Sequence, residues 1–292
     1  MDRVSLIIIC SLAALAIAIA WMLAPQPLSE IPAVEAGQPI ASLAPCITAT
    51  LQALDAAGSI TLVSDYCFAP DEIPRGGTAL APDLERILRS GARLLLVRSA
   101  AGLPHDELRR VGTPVELPWS TVEEVADSIE IIGSLVNRQV AAVDLAQRMR
   151  EALRSQVTPE SPRVLLVIGD SFDESGGLWV IKPNSIHGAV LEAAGCRNAV
   201  TESMRGTPQM SLERLHKIDP DIILHLVTGE GDSSGTPEQL RRAYSALEGL
   251  QAVRRQKIAR VIHPRILDEG PELIELVAAI RQQVEQLERG DP

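Results

Sequence analysis

PDLERILRSGARLLLV, residues 82–97, returns later in the chain as MSLERLHKIDPDIILHL, residues 210–226. In the register that puts Glu85 on Glu213, Leu84 falls on Leu212, Arg86 on Arg214 and Leu96 on Leu224. Each copy reads as a short amphipathic helix running into an apolar strand. The separation far exceeds the 20–50-residue period of a solenoid, so it points to two similar halves. Any account of the protein has to explain why both halves carry a glutamate at the start of that helix.

Outward from the repeat, short aliphatic runs alternate with helical patterns. IASLA (40–44), TLVS (61–64), RLLLV (93–97) and PVEL (114–117) read as strands, with helices beginning near Ile47 and Pro82. Such alternation predicts βα units on a parallel sheet. RVLLVIG (163–169) opens the second half as a nearly continuous apolar run, the pattern of a strand covered on both faces. A helix near 185–195, the repeated helix 211–218, the strands 221–227 and 259–264 and a terminal helix 271–288 follow. Between the halves, Ser120 and Glu123 fit a capping box, and Gly133 is the only Gly or Pro from Thr121 to Ser155. This predicts one continuous helix over 120–156, on the order of 50 Å long. The expected organisation is therefore an N-terminal lobe at 40–119, an interlobe helix at 120–156 and a C-terminal lobe at 157–292.

With 292 residues, 46% of them hydrophobic, the chain can bury a substantial core. A net charge of −11 and a pI near 5.0 argue against a nucleic-acid surface. Residues 4–24 contain no charged side chain, and about 20 apolar residues suffice to enter or span a bilayer. Arg3 precedes this run and Ala18-Ile19-Ala20 offers an A-x-A cleavage pattern, so 1–24 reads as a signal peptide or a transmembrane anchor. Residues 25–39 hold four prolines and read as an extended tether. Either reading places the folded part outside the cytoplasmic membrane.

IASLAPCITATLQALDAAGSITLVSDYC (40–67), then PDLERILRSGARLLLV (82–97), GTPQMSLERLHKIDPDIIL (206–224) and GPELIELVAAI (270–280), resemble the substrate-binding proteins of ABC importers for vitamin B12, haem and ferric siderophores. The resemblance covers about residues 38–288. It implies an α/β fold of two Rossmann-like lobes with parallel sheets joined by one long α-helix, the class III periplasmic binding protein. It also implies a ligand in the cleft between the lobes and no enzymatic activity. The transported ligand would be a cobalt or iron chelate, with no resident cofactor, and the partners would be an ABC permease dimer and its ATPase. In that family a glutamate on each lobe pairs with permease arginines, and the matching residues here are Glu85 and Glu213. Carboxylate–guanidinium pairs supply both charge and geometry for such docking.

In open α/β sheets, ligands bind beyond the carboxyl ends of the strands. Those ends carry Cys46, Tyr66, Cys67, Trp119, Asp170-Ser171, Thr228-Gly229 and Arg265. Trp179 lies in a nearby Gly-rich loop, and Tyr66 matches a tyrosine that the B12 binders place against the corrin. Flat aromatic faces suit a macrocycle. Arg75, Arg98, Arg205 and Arg265 are candidates to meet an anionic chelate. Ala79 and Thr207 stand where the B12 binder has tryptophans, and no tyrosine follows Gly76-Gly77 to ligate a haem iron. The five histidines form no HExxH or i, i+4 pair, and His225 reads as a hydrogen-bonded core residue. Cys46 and Cys67 end neighbouring strands, and an oxidising compartment would allow a disulfide between them. Two other readings stay open: a membrane-tethered sensory or structural module of the same fold, and a metal chelatase. The chelatase would need a His/Glu cluster that the sequence does not reveal.

Overall fold

The computed structural model describes residues 37–169, 177–203, 206, 208–229 and 236–290. The apolar segment 4–24 and most of the tether lie outside the described residues. Among the described residues, no helix is long and apolar enough to cross a membrane.

The N-terminal lobe runs β1 (Ile40–Ser42), α1 (Pro45–Ala53), β2 (Ile60–Val63), α2 (Leu84–Arg89), β3 (Leu94–Arg98), α3 (His105–Val111) and β4 (Thr113–Leu117). Its strands pair in parallel in the order β2-β1-β3-β4. All of β1 and residues 94–97 of β3 are buried, which is why they are apolar throughout rather than alternating. α2 begins where the Asp83 carboxylate accepts the Arg86 N–H at 3.0 Å.

Two helices follow, α4 (Val122–Leu135) and α5 (Gln139–Ala152), where the sequence predicts one. The break is made by Asn137, whose φ of 55° lies in the left-handed region. Arg138 N–H then reaches back to the Gly133 carbonyl at 2.7 Å, the Schellman closure of a helix end. Asparagine tolerates this conformation without a glycine or proline to announce it. The helices fold back on each other, and the Arg150 guanidinium in α5 gathers Glu123, Asp127 and Glu130 from α4 at 2.8–2.9 Å. A Cβ on Gly133 would come 2.2 Å from Ala142 Cβ, so that glycine sets how closely the two helices pack. The capping box is also displaced by one residue. Thr121 Oγ1 accepts the Glu124 N–H, and the Glu124 carboxylate accepts the Thr121 N–H, both at 3.2 Å. Ser120/Glu123 and Thr121/Glu124 both satisfy the sequence pattern, but Glu123 is engaged by Arg150. The hairpin joins the lobes by leaning α4 on α1 and α5 on the terminal helix of the second lobe.

The C-terminal lobe runs β5 (Arg163–Ile168), β6 (Leu178–Trp179), α6 (Ile186–Ala193), β7 (Arg197–Asn198), β8 (Gln209–Met210), α7 (Leu212–Ile218), β9 (Ile222–Val227), α8 (Pro237–Ala243), α9 (Gln251–Arg254), β10 (Ile258–Ile262) and α10 (Leu273–Arg289). The order β10-β9-β5-β7, again parallel, has the same topology as the first sheet when each sheet's strands are counted along the chain. β6 and β8 form a small antiparallel pair beside it. The repeat is structural as well as sequential. Leu96 sits between Ser42 and Val115, and its counterpart Leu224 sits between Leu166 and Ala259. His225 is a core histidine as expected: Nδ1 donates to the Gly169 carbonyl at 2.7 Å, and Nε2 accepts from the Tyr244 hydroxyl at 2.8 Å.

Candidate functional site

Parallel sheets direct the carboxyl ends of their strands to one edge, and the loops there build the site. The loop after β10, residues 263–272, crosses to the first lobe. The Arg265 guanidinium lies 5.6 Å from the Phe68 ring centroid and 3.4 Å from Gln52 Oε1, while Asp268 at 3.0 Å and Glu272 at 3.5 Å neutralise it. Glu269 is the centre of this crossing. Its carbonyl accepts the Trp119 indole N–H at 2.7 Å. Its carboxylate takes the Arg98 guanidinium at the end of β3 and His187 Nδ1 at 3.2 Å in the first turn of α6. Burial works against the Glu269 charge, yet the His187 hydrogen bond and the Arg98 charge hold its carboxyl below the usual glutamate range. Its φ of 61° is a left-handed conformation in a non-glycine residue, held by partners from both lobes.

Beside this crossing lies a cavity of about 410 Å³, within the range of small-molecule sites. Arg98 and Ser120 form its first-lobe side. Opposite stand Ile168 at the end of β5, Val180, Ile181 and Lys182 beyond β6, and Asn184 to His187 at the start of α6. Leu267 and Glu269 close it. α6 can begin there because the Ser185 hydroxyl accepts the Gly188 N–H at 3.1 Å. A Cβ on Gly188 would meet the Pro183 carbonyl at 2.4 Å, so the chain at 182–188 closes only with glycine there.

The candidate residues read from the sequence divide sharply. Trp119 is 1% exposed, and its indole ties the two lobes rather than facing a ligand. Cys46 and Cys67 are buried free thiols, as is Cys196, so the possible disulfide is not formed. Burial pushes the Cys46 thiol far above its usual range. Cys46, Cys67 and Trp119, expected to meet a ligand, are thus buried and do not line this cavity. Tyr66 and Trp179 are exposed, at 76% and 44%, and also lie outside the cavity lining. Arg75 donates to the carbonyls of Ser64, Cys67 and Ala69, organising its own loop. Arg205, Thr207, Asp170 and Ser171 lie outside the described residues. Of the four candidate arginines, Arg98 is the one found in the described lining.

Sequence reasoning missed Lys182, His187 and Glu269. IKPNSIHG carries a helix start, which was readable, but the partner of His187 comes from a loop 82 residues away. A His/Glu contact therefore does exist in the cavity wall. Both members have further partners: His187 Nε2 meets the Ile266 carbonyl at 2.8 Å, and Glu269 also takes Arg98. Among the described residues, no group of three or more His, Cys, Asp or Glu could hold a metal.

Glu85 and Glu213 occupy the same place in the two lobes, one residue into α2 and α7. Their side chains are 75% and 80% exposed, and each pairs along its helix with a basic residue, Arg89 or Lys217. Because these helices run back to the start of the next parallel strand, both glutamates sit at the edge of their sheet where the strands end.

The periplasmic binding protein family model matches residues 40–262. The chain belongs to the periplasmic binding protein family. The periplasmic haem-binding protein BhuT, solved with two haems, aligns at a TM-score of 0.69 and 20% identity over 86% of this chain and 98% of its own. The vitamin B12 binding protein BtuF of Vibrio cholerae aligns at 0.67 and 21%, over 86% and 98%. An ABC-type Fe3+-hydroxamate transport protein from Saccharomonospora viridis aligns at 0.62 and 20%, over 84% and 93%. At these identities the likeness establishes the fold of this periplasmic binding protein. No curated protein matches it in sequence.

Proposed function

We propose that this protein is the extracytoplasmic substrate-binding component of an ABC importer for a metal chelate, delivering its ligand from the interlobe cavity to a permease dimer and its ATPase. The observation that carries this reading is a cavity walled by both lobes, together with an exposed first-turn glutamate at the equivalent place in each lobe. Solved structures of similar fold include a haem-binding protein, a vitamin B12 binding protein and an Fe3+-hydroxamate transport protein, which supports a corrinoid, haem or ferric siderophore as the ligand. The metal travels as cargo inside the chelate, and the protein holds no cofactor and makes or breaks no covalent bond. Residues 1–24 export the chain or tether it to the membrane. The hairpin α4–α5 and the crossing loop 263–272 both span the lobes, so ligand entry involves only a small hinge motion.

A second reading, a tethered sensory module of the same fold, is favoured by one feature: no described lining residue of the cavity is a Phe, Tyr or Trp. Uptake separates the two. A strain lacking this chain is expected to lose accumulation of one radiolabelled chelate among a corrinoid, haem, a ferric hydroxamate and a ferric catecholate, and a plasmid copy restores it. Unchanged uptake of all four would contradict the receptor reading.

A further inference from the structure

The cavity presents two described cations, Arg98 and Lys182, but one of them is already matched. Arg98 pairs with Glu269, whose side chain is only 15% exposed and is fixed by His187 and by the Trp119 bond to its own carbonyl. The remaining described wall is apolar, formed by Ile168, Val180, Ile181, Ile186 and Leu267, with uncharged polar groups between. An anionic ligand group seeking Arg98 must therefore displace a carboxylate that belongs to the protein or lie beside it. Like charges brought together in a partly desolvated site cost several kcal/mol in complexes generally.

We propose that Glu269 is a specificity-determining residue of the cavity: by occupying Arg98 it leaves Lys182 as the one unmatched cation of the described wall, so the site disfavours polyanionic chelates and takes chelates that are uncharged or carry little charge. This rests on the receptor reading above and narrows it. A carboxylate held ionised below the usual range by His187 and Arg98, against its burial, is suited to that task across the physiological range. The lining hydrophobes suit the body of a compact chelate, while Ser120, Asn184 and Ser185 offer neutral hydrogen-bonding groups.

The test uses the full chain in detergent and three probes: a trianionic ferric tris-catecholate, cyanocobalamin without net charge, and cationic ferrioxamine B, each titrated by calorimetry. Wild type is expected to bind cyanocobalamin or ferrioxamine B at least about tenfold more tightly than the catecholate. Glu269→Gln keeps the side-chain shape but uncovers Arg98. It should tighten catecholate binding by about tenfold or more, with the neutral ligand changed by less than about threefold. Arg98→Gln uncovers the carboxylate instead and should move the ranking the other way, weakening the catecholate and favouring ferrioxamine B. Opposite shifts in two variants cannot come from a shared loss of folding. If chelates bind but Glu269→Gln leaves their ranking unchanged, or wild type prefers the trianion, the specificity role is overturned and the receptor reading stands. If no chelate binds to wild type or either variant, both fall.

Discussion

Chelate uptake is expected to fall below about a tenth of the wild-type rate when Glu85→Ala and Glu213→Ala are combined, while chelate affinity of the purified protein stays unchanged. The two side chains are too exposed to matter for folding: an exposed i, i+4 pair such as Glu213–Lys217 is worth only a few tenths of a kcal/mol. Their equivalent positions at the starts of α2 and α7 suit a two-fold symmetric partner. Removing one side of a carboxylate–guanidinium contact that is desolvated on docking costs about 2 kcal/mol or more. Two such losses exceed a factor of ten, since about 1.4 kcal/mol is tenfold. Each single variant should be intermediate. Normal uptake by the double variant in whole cells would remove the docking role and leave the glutamates as ordinary first-turn residues that complement the helix dipole.

Trp119→Ala should be the most destabilising single change considered, by about 3–5 kcal/mol. Trp119 is 1% exposed, its indole N–H is bonded to the Glu269 carbonyl, and its own carbonyl accepts from Arg98 at 3.2 Å. The change thus empties a core site and strands an acceptor in the loop that crosses between the lobes. Thermal unfolding should move down by on the order of 10 °C. Trp119→Phe keeps most of the ring volume but not the N–H, and should lose about 1–3 kcal/mol through the unsatisfied carbonyl. A wild-type melting curve for Trp119→Ala would mean that the indole is not a structural tie.

Much of the fold was readable because it rests on periodicity. The LER helices, the apolar strands 94–98, 163–168 and 222–227 and the terminal helix carry patterns that burial imposes directly. The hairpin was not readable, because its turn depends on one asparagine adopting a left-handed conformation, and helix propensity on both sides is uninterrupted. The short strands β6, β7 and β8 have two residues each, too few for any period to register. For the site, strand ends pointed to the edge of each sheet where the cavity lies, but not to the side chains that line it. Trp119 and Cys46 follow strands closely enough to be drawn inward, whereas the cavity is made by loops and a helix start that meet only in three dimensions. Glu269 in particular gains its meaning from Arg98, 171 residues away, and nothing local in DEGP announces that contact.

The most direct measurement is a titration of the purified protein with cyanocobalamin, haemin and ferric siderophores, following tryptophan fluorescence. Trp119 lies between the lobes and Trp179 is partly exposed, so both edges of the fold carry a reporter. The account predicts saturable quenching by one chelate at micromolar concentration or below. Silence toward every chelate, with the protein shown to be folded, would contradict it.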